Sequence, residues 1–114
     1  MGSDLEGKLR SLCDTQAEWS QATFGADDKR GPTGALRHLQ REAEEAIEAI
    51  NTDCYPEEVA DCLLLIIDAA RRGGLSFDAL VDAAREKQAI NATRNWPSVA
   101  ADDGVPVEHI RGDD

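Results

Sequence analysis

Positive charge is scarce in this sequence. Its 114 residues hold 12 Lys and Arg against 23 Asp and Glu, a formal net charge of -11. So acidic a chain argues against non-specific nucleic-acid binding, which needs a basic surface. It leaves a nucleotide substrate open, because metal ions can supply the cations that the protein lacks. Cysteine is sparse as well. Cys13, Cys54 and Cys62 are odd in number, widely spaced and form no CxxC. That pattern fits reduced thiols in a cytosol-like compartment better than a disulfide framework or structural zinc. Long apolar runs are missing. Cys62 to Ile67 is the longest, far too short to span a bilayer. Met1 to Arg10 lacks the apolar segment of a secretory signal. Aromatic side chains amount to two Trp, two Phe and one Tyr, so each has to be accounted for. No stretch alternates as a strand and no repeat is visible. What is left is one all-α domain with a modest core.

Helical signals run the length of the chain. Ser3 and Glu6 form a capping-box pattern, and Leu5, Leu9, Leu12 and Trp19 follow at helical spacing, predicting a first helix over about 4–22. Phe24-Gly25 ends it, and residues 26–34 read as a polar loop with Gly and Pro punctuation. A second helix is expected over about 34–51, with an apolar stripe of Leu36, Leu39, Ala43, Ala46, Ile47 and Ile50. Pro56 suits the first position of a third helix, Glu57 and Glu58 its first turn, and Gly73-Gly74 its end near Arg72. The middle of this helix is apolar nearly all round, so burial on more than one side is expected, with Cys62 in the core. Ser76 is an N-cap for a fourth helix over about 77–95, closed by Trp96-Pro97. The helical domain is placed at 1–97. An extended tail follows at 98–114, whose Val105, Val107 and Ile110 form an apolar cluster fit to dock on a neighbour.

The chemistry concentrates in two acidic pairs. Glu42-x-x-Glu45 lies on the second helix, and Glu58-x-x-Asp61 on the third, with twelve residues between the pairs. Residues three apart on a helix are neighbours, so each pair presents two carboxylates on one face. If the helices pack antiparallel, four carboxylates converge, and they cannot all remain ionised without cations. Oxygen-only ligands favour hard ions, Mg²⁺ or Mn²⁺. At about 100° per residue, His38, Glu42 and Glu45 share an arc of roughly 60°. Arg41, Glu44 and Glu48 lie farther round and read as solvated. A lone ExxE is ordinarily a solvated face. Asp61 changes the odds, because it enters an apolar run where an unpaired carboxylate is costly. Asp68, two turns on, reads as structural, paired with Arg37 or Arg94 or supporting the site from behind.

These residues resemble a known family. Leu39-x-x-Glu42-x-x-Glu45 with Glu58-x-x-Asp61 is similar to the ExxE…ExxD metal motif of the all-α nucleotide pyrophosphohydrolases of the MazG and dimeric dUTPase superfamily. Trp19, Thr23-Phe24-Gly25, Gly31-Pro32, His38-Leu39, Ala60-Asp61-Cys62-Leu63-Leu64, Gly74-Leu75-Ser76, Lys87-x-x-x-Asn91-x-x-Arg94-x-Trp96-Pro97 and Pro106-Val107-Glu108-His109-Ile110-Arg111 resemble a phage subset of MazG-like proteins. Within it they resemble the MazZ group, (d)GTP pyrophosphohydrolases of phages that replace adenine with 2-aminoadenine.

The resemblance implies a helical bundle with a four-helix core, assembled as a homodimer or homotetramer, in the cytoplasm of the host if the chain is phage-encoded. It implies Glu42, Glu45, Glu58 and Asp61 as ligands of two or more Mg²⁺ or Mn²⁺ ions. Lys87, Asn91 and Arg94 would face the phosphates, and Trp19 and Phe24 the base. His38 would orient a carboxylate, with Glu45 or Glu42 handling the attacking water. The reaction expected is hydrolysis of (d)GTP to (d)GMP, releasing pyrophosphate or passing through a diphosphate. It would supply dGMP for 2-aminoadenine nucleotide synthesis and lower dGTP. The sequence departs from the usual EExxE at Arg41, and the register Glu44-Glu45-x-x-Glu48 would restore it. A broader dATP/dGTP pool-cleaning enzyme is the nearest alternative. An acidic helical interaction module, or a DNA mimic, is the alternative of another class.

Overall fold

The structure is a computed structural model that describes residues 2–97 and 103–112. Its regular elements are α1 (Gly2–Phe24), α2 (Thr33–Glu48), α3 (Tyr55–Arg72) and α4 (Phe77–Thr93). The chain is all-α. Among the described residues the one β feature is an isolated antiparallel bridge between Asn95 and Ile110.

Helix ends depart from the sequence expectation in small, explicable ways. α1 runs from Gly2, so the backbone of Ser3 is already helical, and the expected capping box falls on a side chain outside the described residues. α2 stops at Glu48, short of Asn51, because Asn51 adopts the left-handed conformation (φ 68°) that Asn tolerates and a helix interior excludes. Pro56 takes the second position of α3, where its missing N–H still costs no helical hydrogen bond. Ser76 does cap α4: its Oγ accepts the Ala79 N–H at 3.1 Å.

Two compact units divide the chain at Leu80 and Val81. In the first, α3 packs against both α2 and α1. α2 and α3 form an antiparallel hairpin, so residues equidistant from the 49–54 turn face each other, Glu42 opposite Asp61 and Glu45 opposite Glu58. The buried apolar residues are few and mostly small: Ala35, Ala49, Ile67 and Ala69. The apolar middle of α3 is not buried on every side in the single chain. Leu63 and Ile66 are exposed and Cys62 is half-buried, because α1 and α2, which pack on this helix, leave part of its surface open.

In the second unit the chain folds back on the end of α4. Trp96 Nε1 donates to the Asn91 carbonyl at 2.7 Å. The Trp96 and His109 rings meet edge-on at 5.7 Å. Val105, Val107 and Ile110 remain exposed. The first part of the expected tail, residues 98–102, lies outside the described residues. No helix among the described residues is long and apolar enough to cross a membrane.

Candidate metal centre

The α2–α3 hairpin brings three of the four acidic residues together. Carboxylate oxygens of Glu42, Glu58 and Asp61 lie within 4.8 Å of one another. Glu45 stands beside this group, close enough to act on two of its members. Glu45, placed where a proton held between the two carboxyls is favoured, pushes the Glu42 carboxyl up. Loss of water, the charge of Glu45 and Asp61 add to that rise, and His38 opposes it. Burial pushes Glu58 up first, followed by the charges of Glu45, Asp61 and Glu57. Mutual repulsion of this kind is what a cation would relieve. Glu44 and Glu48 are exposed and neither belongs to the group.

Whether these residues suit a metal ion is decided by their unmet valences. Glu42 Oε2 and Glu58 Oε2 are buried and have no hydrogen-bond partner. A buried carboxylate oxygen with no donor is costly, and a hard cation satisfies both at once. The set is oxygen-only, which suits Mg²⁺ or Mn²⁺. His38 Nε2 lies 3.0 Å from Glu42 Oε1, where it restrains the orientation of that carboxylate and leaves Oε2 for an ion.

A cleft of about 310 Å³ adjoins the carboxylates. Glu42, His38 and Asp61 line one side and Trp19 and Phe24 another. The two aromatic rings meet edge-on at 5.3 Å and 90°, an arrangement favoured by their quadrupoles. They are 57% and 51% exposed, so they form an open wall and not a core. Lys87 and Asn91 lie on α4 and Arg94 just after its end, all three in the second unit. Arg94 Nη1 lies 3.5 Å from Asn91 Oδ1, and Lys87 is exposed. The thiol nearest the carboxylates, Cys62, is pushed up by burial and by Glu42, Asp61 and Glu58. It therefore stays protonated at neutral pH and is no nucleophile.

Sequence reasoning missed the polar floor of the cleft and misassigned the partners of Asp68. This carboxylate pairs with neither Arg37 nor Arg94. Its Oδ1 accepts from Gln16 at 3.0 Å, Ser20 Oγ at 2.6 Å and Arg71 Nη2 at 2.6 Å. Its Oδ2 accepts from Arg72 Nε at 2.9 Å. Burial alone would push Asp68 up, but the four donors hold it at about 2. The signal was present: arginines three and four residues on share a helix face with Asp68. The contribution from α1 was not visible, because Gln16 and Ser20 lie far away in the chain.

Comparison with known proteins extends this picture. The family model described as dATP/dGTP pyrophosphohydrolase matches residues 12–113. The Eaa protein of Salmonella phage P22 is 44% identical over 95 residues, 83% of this chain and 27% of that protein. The chain thus spans about a quarter of the length of this relative. A MazG-like pyrophosphohydrolase of cyanophage S-2L, solved with dGDP and three catalytic Mn²⁺ ions per active site, is 33% identical. The match covers 91% of this chain and 94% of that one, with a TM-score of 0.67.

Proposed function

The chain belongs to the dATP/dGTP pyrophosphohydrolase family, and from that premise we propose that it hydrolyses dGTP or GTP to the monophosphate at the Glu42–Glu58–Asp61 centre. The observation that carries the reading is the convergence of three carboxylates, two of them with an orphaned buried oxygen, beside an aromatic-walled cleft. An acidic interaction module has no use for buried carboxylates without partners. The choice of guanine is supported by the dGDP-bound structure of the cyanophage relative.

Glu42, Glu58 and Asp61 would hold two or more Mg²⁺ or Mn²⁺ ions, with Glu45 completing the set from the side. Such ions supply Lewis-acid chemistry, screening phosphate charge and lowering the pKa of water. The chain's residues do the rest. His38 orients Glu42 through Nε2. Glu45 accepts a proton from the attacking water. Trp19 and Phe24 hold the base against their exposed faces. Lys87, Asn91 and Arg94 bind phosphate oxygens and stabilise charge on the leaving group. No covalent enzyme intermediate is required. The dGMP formed would feed synthesis of the 2-aminoadenine nucleotide while dGTP falls.

The family description names both purines, which favours a second reading, a broader dATP/dGTP pool-cleaning enzyme. A product assay separates the two. The full chain is incubated with Mn²⁺ or Mg²⁺ and each common NTP and dNTP in turn, and the products are resolved by chromatography. Monophosphate from dGTP and GTP alone supports the first reading, and turnover of dATP supports the second. No turnover of any nucleotide, with Mn²⁺ bound, would overturn both.

A further inference from the structure

One buried guanidinium holds both ends of the α1–α2 loop. Arg72 Nη1 donates to the carbonyl oxygens of Gly25 at 2.9 Å and Arg30 at 3.2 Å. Its Nη2 donates to Ser20 O at 3.3 Å and Ser20 Oγ at 2.8 Å, and its Nε to Asp68 Oδ2 at 2.9 Å. The side chain is 1% exposed. Every nitrogen of the fork is used, and the acceptors come from the end of α1, both ends of the loop, and α3. Arg71 adds an outer tie, donating from Nε to Asp27 Oδ2 at 2.9 Å and Oδ1 at 3.2 Å within the same loop.

Asp68, Gln16 and Ser20 also line the floor of the cleft. Asp68 accepts four donors, and the Ser20 hydroxyl both donates to Asp68 and accepts from Arg72. These groups have little valence left for a ligand. What the network controls is position. Trp19 adjoins Ser20, Phe24 adjoins Gly25, and α2, which carries His38 and Glu42, starts three residues after Arg30.

We propose that Arg72, locked in place by Asp68, is a positioning residue that sets the aromatic wall of Trp19 and Phe24 at its distance from the carboxylate centre by clamping both ends of the α1–α2 loop. The functional consequence rests on the nucleotide reading of the cleft, whereas the clamp itself does not. Lysine at this position can meet Asp68, but one ammonium cannot reproduce the planar fork that bridges Gly25, Arg30 and Ser20 together.

The test uses the full chain with Arg72→Lys, and with Asp27→Asn, which weakens the outer tie and the 3.7 Å ion pair between Asp27 Oδ1 and Arg72 Nη1 and leaves the hydrogen bonds of the buried fork intact. Four quantities are measured: kcat and KM for dGTP with Mn²⁺, the Mn²⁺-induced rise in Tm, and the rate of trypsin cleavage after Lys29 or Arg30, mapped by mass spectrometry. For Arg72→Lys we expect KM to rise ~10-fold with kcat within about twofold, the pattern of lost ground-state binding. The Mn²⁺ shift should persist and loop cleavage should quicken. Asp27→Asn should move the same quantities in the same direction by less, and it carries the test if Arg72→Lys does not fold. An unchanged KM overturns the proposal, as does a fall in kcat accompanied by loss of the Mn²⁺ shift. If the wild-type chain turns over no nucleotide, the functional reading fails by itself. The clamp then stands on faster loop cleavage in the variants and falls if that cleavage is unaltered.

Discussion

Glu42 shows how little one residue means outside its fold. On α2 it is one of several glutamates, yet its Oε1 faces His38 at 3.0 Å and its Oε2 is buried without a partner. Glu42→Gln and Asp61→Asn are expected to abolish both turnover and the Mn²⁺-induced rise in Tm, which differential scanning fluorimetry would follow. His38→Ala should weaken Mn²⁺ binding by ~10–100-fold without abolishing it, the usual cost of removing a group that orients a ligand. The carboxylates also set a pH dependence. Glu42 and Glu58 are held above their ordinary values in the folded chain. Their protonated forms are therefore favoured by folding, and stability is lost as pH rises through the folded values. In a chelator, Tm should fall as pH rises toward neutrality, and Mn²⁺ should flatten that fall.

Asp68 has the opposite sign. It titrates at about 2 when folded, below its unfolded value, so its stabilisation is present above the unfolded value. A shift of nearly two units corresponds to about 2 kcal/mol at neutral pH, lost as pH drops from about 4 through about 2. Asp68→Asn should remove this acid-limb dependence in urea titrations at several pH values. It should also lower neutral stability by roughly 3–5 kcal/mol, because the buried Arg72 loses its counter-charge.

At the scale of the element, α3 does most of the organising. Its first turns carry Glu58 and Asp61, and its last turns carry Asp68, Arg71 and Arg72, so one rigid helix ties the carboxylate centre to the loop clamp. Its termination is therefore structural. Gly74 has φ 84°, a conformation that costs an L side chain about 1 kcal/mol or more, although a Cβ there would meet no neighbour within 4 Å. Gly74→Ala should lower Tm by several degrees in a circular-dichroism melt through the backbone alone. Helix existence and type were readable from apolar periodicity and from Pro and Gly punctuation. The ends were less so. Asn51 looked like the last residue of α2, but its left-handed backbone ends the helix three residues earlier.

At the scale of the whole molecule, the exposed apolar residues of α2, α3 and the turn between them call for cover. Leu36, Ile47, Ile50, Val59, Leu63 and Ile66 are all exposed in the single chain, more apolar surface than isolated exposed residues explain. The homodimer or homotetramer implied by the family resemblance would bury it. Light scattering coupled to size exclusion should therefore return a mass of at least two chains, and Leu63→Glu should shift it toward one. A monomer at micromolar concentration would count against the assembly.

The sequence by itself determined the all-α class and the two acidic pairs, because helical periodicity and i, i+3 spacing are properties of local order. It also indicated the ion type, because a ligand set made of carboxylate oxygens selects hard cations. Tertiary structure alone decided which carboxylates converge. The hairpin register sets Glu42 against Asp61 and Glu45 against Glu58, and leaves Glu45 at the margin of the centre. Tertiary structure also decided the partners of Asp68. A buried charge demands neutralisation, and the sequence states that demand without saying which distant donors meet it. Gln16 and Ser20 meet it from another helix, and that proximity exists only once α1 has packed on α3.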